Sequence, residues 1–195
     1  MLIDSFMGRA RRATATTRAA GALLAAVATA LAPAVPARAE AAALVQPKQL
    51  TADRSLPARQ LAEQLHAARL YDTFWSTGDE AQARAALAPD FVDRTLPPGR
   101  AQGVAGPLAA SRAFHAAVPD VHCEVEQMIV AGDRVVAHLR LSGHFTGSFG
   151  AVRGRGQPVD FIATDIYRIR GGRIAENWHL EDNLTFLTQL GVVKP

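Results

Sequence analysis

The sequence predicts an α+β domain, with helices first and a curved antiparallel sheet after them, the helices lying on one face of the sheet. Two observations carry this. Apolar residues recur at helical spacing up to Ala117, and after Asp120 they alternate in long segments separated by Gly-containing turns. A third is size: the roughly 150 residues left once a leader is set aside make one domain, large enough to bury a core without disulfides.

Residues 1–39 carry the three parts of a signal peptide. A positive segment ends at Arg18, an apolar stretch runs Ala19–Val35, and Ala37-Arg38-Ala39 forms the cleavage site. Cleavage near Ala39 implies export, to the periplasm or outside the cell. The apolar stretch is short for a bilayer and contains Pro33, so no stable span is expected after processing; a retained anchor is the alternative. Arg11-Arg12 is a twin-arginine pair, but the Ala-Thr-Ala after it matches that export motif poorly.

The leader also accounts for the charge. Of 21 Lys+Arg and 18 Asp+Glu, five arginines and Asp4 precede residue 40, leaving 16 basic against 17 acidic residues in the body. A body without a basic surplus lacks the electrostatic footprint of phosphate-backbone binding, which excludes nucleic acid as a partner. The single cysteine, Cys123, permits no internal disulfide and alternates with Val121 and Val125 as a core residue would.

Residues 40–55 lack periodicity and read as a linker to a domain over 56–195. Ser55 is the expected N-cap of a helix to about Thr77, with Ala67, Leu70, Tyr71 and Phe74 at i, i+3, i+4 and i+7. A short helix over Asp79–Leu87, a strand over Phe91–Thr95, a Pro/Gly loop and a helix over Val104–Ala117 follow. Strands are expected at Val121–Val130, Arg134–Phe145, Pro158–Arg170 and Arg173–Asp182, and a last helix begins near Asn183.

Charge pairing sets the first hairpin. An odd loop at Ala131-Gly132-Asp133 places Val121, Cys123, Val125 and Ile129 on the apolar face and sets Glu124 and Glu126 opposite His138 and Arg140. Gly171-Gly172 closes the second hairpin and pairs Arg170 with Arg173. Counting back without interruption, one face collects Phe161, Asp165, Tyr167, Trp178 and Asp182. Carboxylates among aromatic rings need partners or a cavity.

Gly143-His144-Phe145-Thr146-Gly147, Gly156-Gln157-Pro158-Val159, the block from Gly172-Arg173-Ile174 through Trp178 to Asp182, and Gln189-Leu190-Gly191 resemble the SnoaL-like polyketide cyclase or ester cyclase family. The resemblance spans about Leu61 to Gly191. It implies the cone-shaped nuclear transport factor 2-like fold, in which helices wrap a curved sheet around one pocket. Phe145 stands where the family commonly has a strand histidine, and His144 falls one place earlier.

The resemblance also implies a cofactor-free enzyme acting by general acid/base catalysis on a small apolar carbonyl substrate, with Asp182 as the acid/base. An apolar surround would raise a carboxyl's pKa toward working pH. The alternative for Asp182 is to cap the helix at Asn183. Asp165 is the second candidate, with structural hydrogen bonding as its alternative. Tyr71, Phe74, Phe114, Phe145, Phe161, Tyr167 and Trp178 are the candidate pocket lining. The resemblance further raises a homodimer formed through the sheet face.

His66, His115, His122, His138, His144 and His179 show no metal-binding spacing, so no metal ligand set is expected. The Gly147–Gly156 loop lacks the lysine and following helix of a phosphate loop and reads as a strand connection. Asn183-Leu184-Thr185 is a formal glycosylation sequon. A non-catalytic small-molecule-binding protein of the cell envelope, using the same pocket, is the reading from a different function class.

Overall fold

A computed structural model describes residues 43–194. The expected leader over residues 1–39 lies outside the described residues. The elements are β1 (Gln49–Ala52), α1 (Ala58–Thr77), α2 (Glu80–Ala86), β2 (Leu87–Asp93), α3 (Ala105–Ala117), β3 (His122–Ala131), β4 (Arg134–Phe145), β5 (Ser148–Phe149), β6 (Val152–Arg153), β7 (Gln157–Arg170), β8 (Arg173–Glu181) and α4 (Asn183–Gln189).

The α+β class holds, with one correction to the sheet. β3, β4, β7 and β8 run antiparallel as expected, but the six-stranded order β1-β3-β4-β7-β8-β2 ends in two strands that pair in parallel, β1 with β3 and β2 with β8. β1 lies within the segment read as a linker. Its sequence, QLTA, carries too short an alternation to register as a strand, and it gains its hydrogen bonds from the free edge of β3.

The α1 helix starts later than expected. Pro57, not Ser55, precedes its first turn without a side-chain cap, while Ser55 donates to Asp53 in a local turn. Its buried stripe, Ala67, Ala68, Tyr71 and Phe74, faces the inner side of the sheet, where Val125, Met128, Val135, Ala137 and Tyr167 complete the core. Asp79 caps α2 by accepting from the Ala81 backbone N–H at 2.9 Å. The strand before the loop begins at Leu87, earlier than the expected Phe91.

Both hairpins contain a bulge that unbroken counting misses. In β3–β4 the turn has two residues, Gly132 and Asp133, and a bulge at Glu126 restores the Glu124–Arg140 pairing farther along. Ile129 therefore faces outward and Met128 inward, contrary to the expected face. In β7–β8, Arg170 pairs with Arg173 as expected, then the ladder slips between Arg168 and Ile169, with Ala175 as the extra residue. Every residue of β8 beyond Ala175 is thereby moved to the opposite face from the uninterrupted count. Trp178 goes out; Asn177, His179 and Glu181 come in.

The Gly147–Gly156 loop is a strand connection, as expected, and forms the small β5–β6 ribbon. Glycine is required at its base. A Cβ on Gly147 would lie 1.8 Å from the Ala116 carbonyl oxygen, and one on Gly154 would lie 2.1 Å from that of Phe145. Among the described residues no helix is long and apolar enough to cross a membrane.

Candidate active site

The concave face of the sheet, α1, α3, α4 and the β5–β6 ribbon enclose a cavity of about 300 Å³. Its wall is mostly aromatic. Phe114 from α3, Phe161 from β7 and Phe186 from α4 stack edge-on and tilted with centroids 4.8–5.9 Å apart, and Phe149 of the ribbon meets Phe186 at 5.7 Å. Tyr71 and Trp75 of α1 and Phe91 of β2 add to it.

All the carboxylates of the lining lie at one end. Asp165 on β7 stands opposite His179 on β8 in the ladder, and Asn177 donates its Nδ2–H to Asp165 Oδ1 at 2.5 Å. The His179 ring lies between two carboxylates, with Nδ1 2.7 Å from Glu181 Oε1 and Nε2 3.0 Å from both oxygens of Asp93. Asp93 ends β2 and is itself held in place. Its backbone N–H donates to Gln102 Oε1 at 2.7 Å and its side chain accepts from the Thr95 N–H at 3.0 Å.

Burial sets the electrostatics of this end. Asp165 is pushed up to about 7, first by loss of water and further by the charges of Glu181 and Asp93; the Asn177 hydrogen bond and the His179 charge pull the other way. For His179, burial alone favours the neutral ring. The hydrogen bond and charge of Glu181, joined by those of Asp93, outweigh it and hold the imidazolium up to about 9. Glu181 is shifted up by burial, but its bond to His179 leaves it below the ordinary glutamate value. At neutral pH the end thus contains an imidazolium between two carboxylates, beside a carboxyl poised between its two forms.

Four of the sequence-derived candidates line the cavity: Tyr71, Phe114, Phe161 and Asp165. The other five do not. Phe74 and Phe145 are fully buried in the core outside it. Tyr167 sits behind the wall and donates to Asp72 Oδ1 at 2.6 Å, and burial pushes that Asp72 carboxyl up. Trp178 lies on the outer face, where the Arg134 guanidinium stacks 5.5 Å from its ring. Asp182 takes the capping alternative. It accepts from the Thr185 N–H at 3.0 Å and the Thr185 hydroxyl at 2.7 Å, which lowers its pKa.

Asp93, Asn177, His179 and Glu181 were not among the expected site residues. The signal for three of them was local: Ile174 and Ala175 are adjacent apolar residues in an otherwise alternating strand, and both are buried, which is how a bulge reads in sequence. Asp93 carries no such signal, because its place depends on β2 pairing with β8. Among the described residues no group of three or more His, Cys, Asp or Glu is arranged to hold a metal ion.

The model of the SnoaL-like polyketide cyclases matches residues 65–190. A presumed polyketide cyclase from Bacillus cereus ATCC 10987 is 39% identical over 77% of this chain and 95% of its own, with a TM-score of 0.69. IdmH, a presumed polyketide cyclase from Streptomyces antibioticus, is 28% identical over 66% and 98%, at 0.59. A presumed SnoaL-like polyketide cyclase from Jannaschia sp. CCS1 is 26% identical over 72% and 98%, at 0.60. No curated protein matches. With this fold, an aromatic cavity and a match over most of the domain, the chain belongs to the SnoaL-like polyketide cyclase family of the nuclear transport factor 2-like superfamily.

Proposed function

We propose that the protein is a cofactor-free enzyme that moves a proton on a small carbonyl substrate, with Asp165 as the acid/base. The observation that carries this is the pairing of Asp165 with Asn177 beside the Asp93–His179–Glu181 chain, at the polar end of an aromatic cavity. The ionised Asp165 takes a proton from a carbon next to a carbonyl, the C–H electron pair moves toward the carbonyl oxygen, and the neutral acid later returns the proton. A carboxyl near 7 is matched to both halves of that cycle.

The groups that face Asp165 tune it. Asn177, His179 and Glu181 come from β8 and Asp93 from β2, while Tyr71 and Asp72 of α1 feel the charge of Asp165 in turn. His179 is a positioning residue, since both its ring nitrogens are committed to carboxylates. The reading is tested by NMR of α-proton exchange into deuterated water with 2-tetralone and a panel of cyclic monoketones. Wild type is expected to catalyse exchange with a rate rising through about pH 7, and Asp165→Asn to lose it. Binding without exchange would instead favour the non-catalytic envelope protein.

The same reading places the enzyme outside the cytoplasm after cleavage near Ala39. Support comes from where the body begins. Val45, a few residues beyond that point, is already fastened to α1, its N–H donating to Thr73 Oγ1 at 2.9 Å and its carbonyl accepting from Arg69 at 2.8 Å. A homodimer through the outer sheet face would cover Ile129, Ile162, Ile166 and Leu180, all exposed.

A further inference from the structure

Proton abstraction moves the negative charge from Asp165 to the substrate's carbonyl oxygen, and in a cavity this apolar that oxygen needs a donor. The nearest nitrogen donors are already committed: His179 to Asp93 and Glu181, and Asn177 Nδ2 to Asp165. Arg100 is not. It lies half-buried in the loop between β2 and α3 and lines the cavity. Among the described residues it makes no ion pair and no side-chain hydrogen bond, whereas Arg94 of the same loop is bound to Glu176 at 3.0 Å.

A second donor stands near it. The Tyr71 hydroxyl is on the cavity wall, makes no hydrogen bond among the described residues, and feels the charges of both Arg100 and Asp165. Burial keeps it in the O–H form, able to donate. Tyr71 is fixed by edge contacts with Trp75 and Tyr167 at 5.8 and 5.7 Å, so its hydroxyl is pre-positioned.

Resting on the acid/base reading of this same cavity, we propose that Arg100, assisted by the Tyr71 hydroxyl, forms the oxyanion site for the enolate, and that the substrates are uncharged enolisable ketones of one or two rings. The step balances. Ionised Asp165 and a neutral ketone become neutral Asp165 and an enolate, the charge passing from the carboxylate to an oxygen paired with the guanidinium. No further carboxylate is needed on the substrate, and a cavity of about 300 Å³ lies at the small end of ligand sites.

The test uses the enolate mimic 4-nitrophenolate, whose absorbance reports binding without turnover. Asp165→Asn stands for the neutral acid formed after abstraction. Asp165→Asn is expected to bind the phenolate, Asp165→Asn/Arg100→Gln at least tenfold more weakly, Asp165→Asn/Arg100→Lys in between, and Asp165→Asn/Tyr71→Phe severalfold more weakly. In the otherwise wild-type chain, Arg100→Gln is expected to lower kcat for ketone exchange at least tenfold with KM changed less than threefold. Equal phenolate affinity with and without Arg100, in variants of unchanged circular dichroism, would overturn the proposal, as would no phenolate binding by Asp165→Asn. If phenolate binding depends on Arg100 but no ketone exchanges, the oxyanion site stands and the acid/base reading falls. If Asp165→Asn abolishes exchange while Arg100→Gln leaves it intact, the reverse holds.

Discussion

The two faces of β8 treat similar side chains in opposite ways. On the outer face Glu176 is held by Arg94 at 3.0 Å and by Arg168, and these hydrogen bonds drop its pKa to about 2. On the inner face, across the strand, no arginine among the described residues pairs with a carboxylate of the cavity. Asp165 has a neutral amide partner instead and rises to about 7. A carboxylate saturated by arginines is locked in its charged form, and one left with an amide in a largely apolar cavity can exchange its proton at working pH. The position of a side chain on one face or the other decides between these fates, and a single bulge decides the position.

The comparison breaks most severely at Asp165. Asp165→Asn is expected to lower the exchange rate by about 10²–10⁴-fold, while Glu176→Gln on the outer face leaves it unchanged. Stability should move the other way. A carboxyl raised in the fold binds its proton more tightly there than in the unfolded chain, so its contribution is fullest below about pH 4 and is lost as pH rises through about 7. Asparagine removes that loss. Denaturant titration at pH 8 should find Asp165→Asn more stable than wild type, by up to about 4 kcal/mol; a destabilised variant would contradict the burial of an ionisable Asp165.

A smaller loss is expected at His179. His179→Gln leaves Asp93 and Glu181 facing the cavity without a cation between them, a cost of about 3–5 kcal/mol when one partner of a buried pair is removed. The pH dependence sharpens the point. His179 is raised in the fold, so its contribution is complete below about pH 6.5 and disappears as pH climbs through about 9, a fall of about 3 kcal/mol. Chemical denaturation at steps from pH 6 to 9.5 should show that fall in wild type and its absence in His179→Gln. Loss of the imidazolium also raises Asp165 further, so the residual exchange rate should reach its plateau at higher pH.

Fold and site were legible in the sequence to different degrees because they depend on different ranges of interaction. The helices and the four long strands follow from periodicities that each segment carries within itself, and Asp165 was found because β7 alternates without interruption from Gln157 to Arg170. The aromatic wall was partly legible, since Tyr71, Phe114 and Phe161 face inward under any register that buries β7. The edge strands were less legible: β1 was read as linker and only the end of β2 was expected, because both are held by parallel pairing to distant partners. His179 and Glu181 were lost to one residue, Ala175, which changes the parity of the strand. Trp178, whose size argues for a pocket, was taken inward by the same arithmetic. A large aromatic on an outer sheet face can be satisfied by an arginine, as Arg134 does here.

The mildest expected effect separates the two aspartates that the sequence offered as acid/base. Asp182 is one residue beyond β8, and its carboxylate accepts from Thr185 at the start of α4. That is the work of an N-cap, and it lowers the pKa, away from neutral chemistry. Asp182→Ala should therefore lower Tm by about 2–4 °C, the size of a lost cap in a domain of this length, and Asp182→Asn, which still caps, by less. Neither should change the pH at which ketone exchange reaches half its plateau, because Asp165 sets it. A shift of that midpoint in Asp182→Ala would place a second titrating carboxyl in the reaction and remove the contrast between the helix cap and the cavity floor.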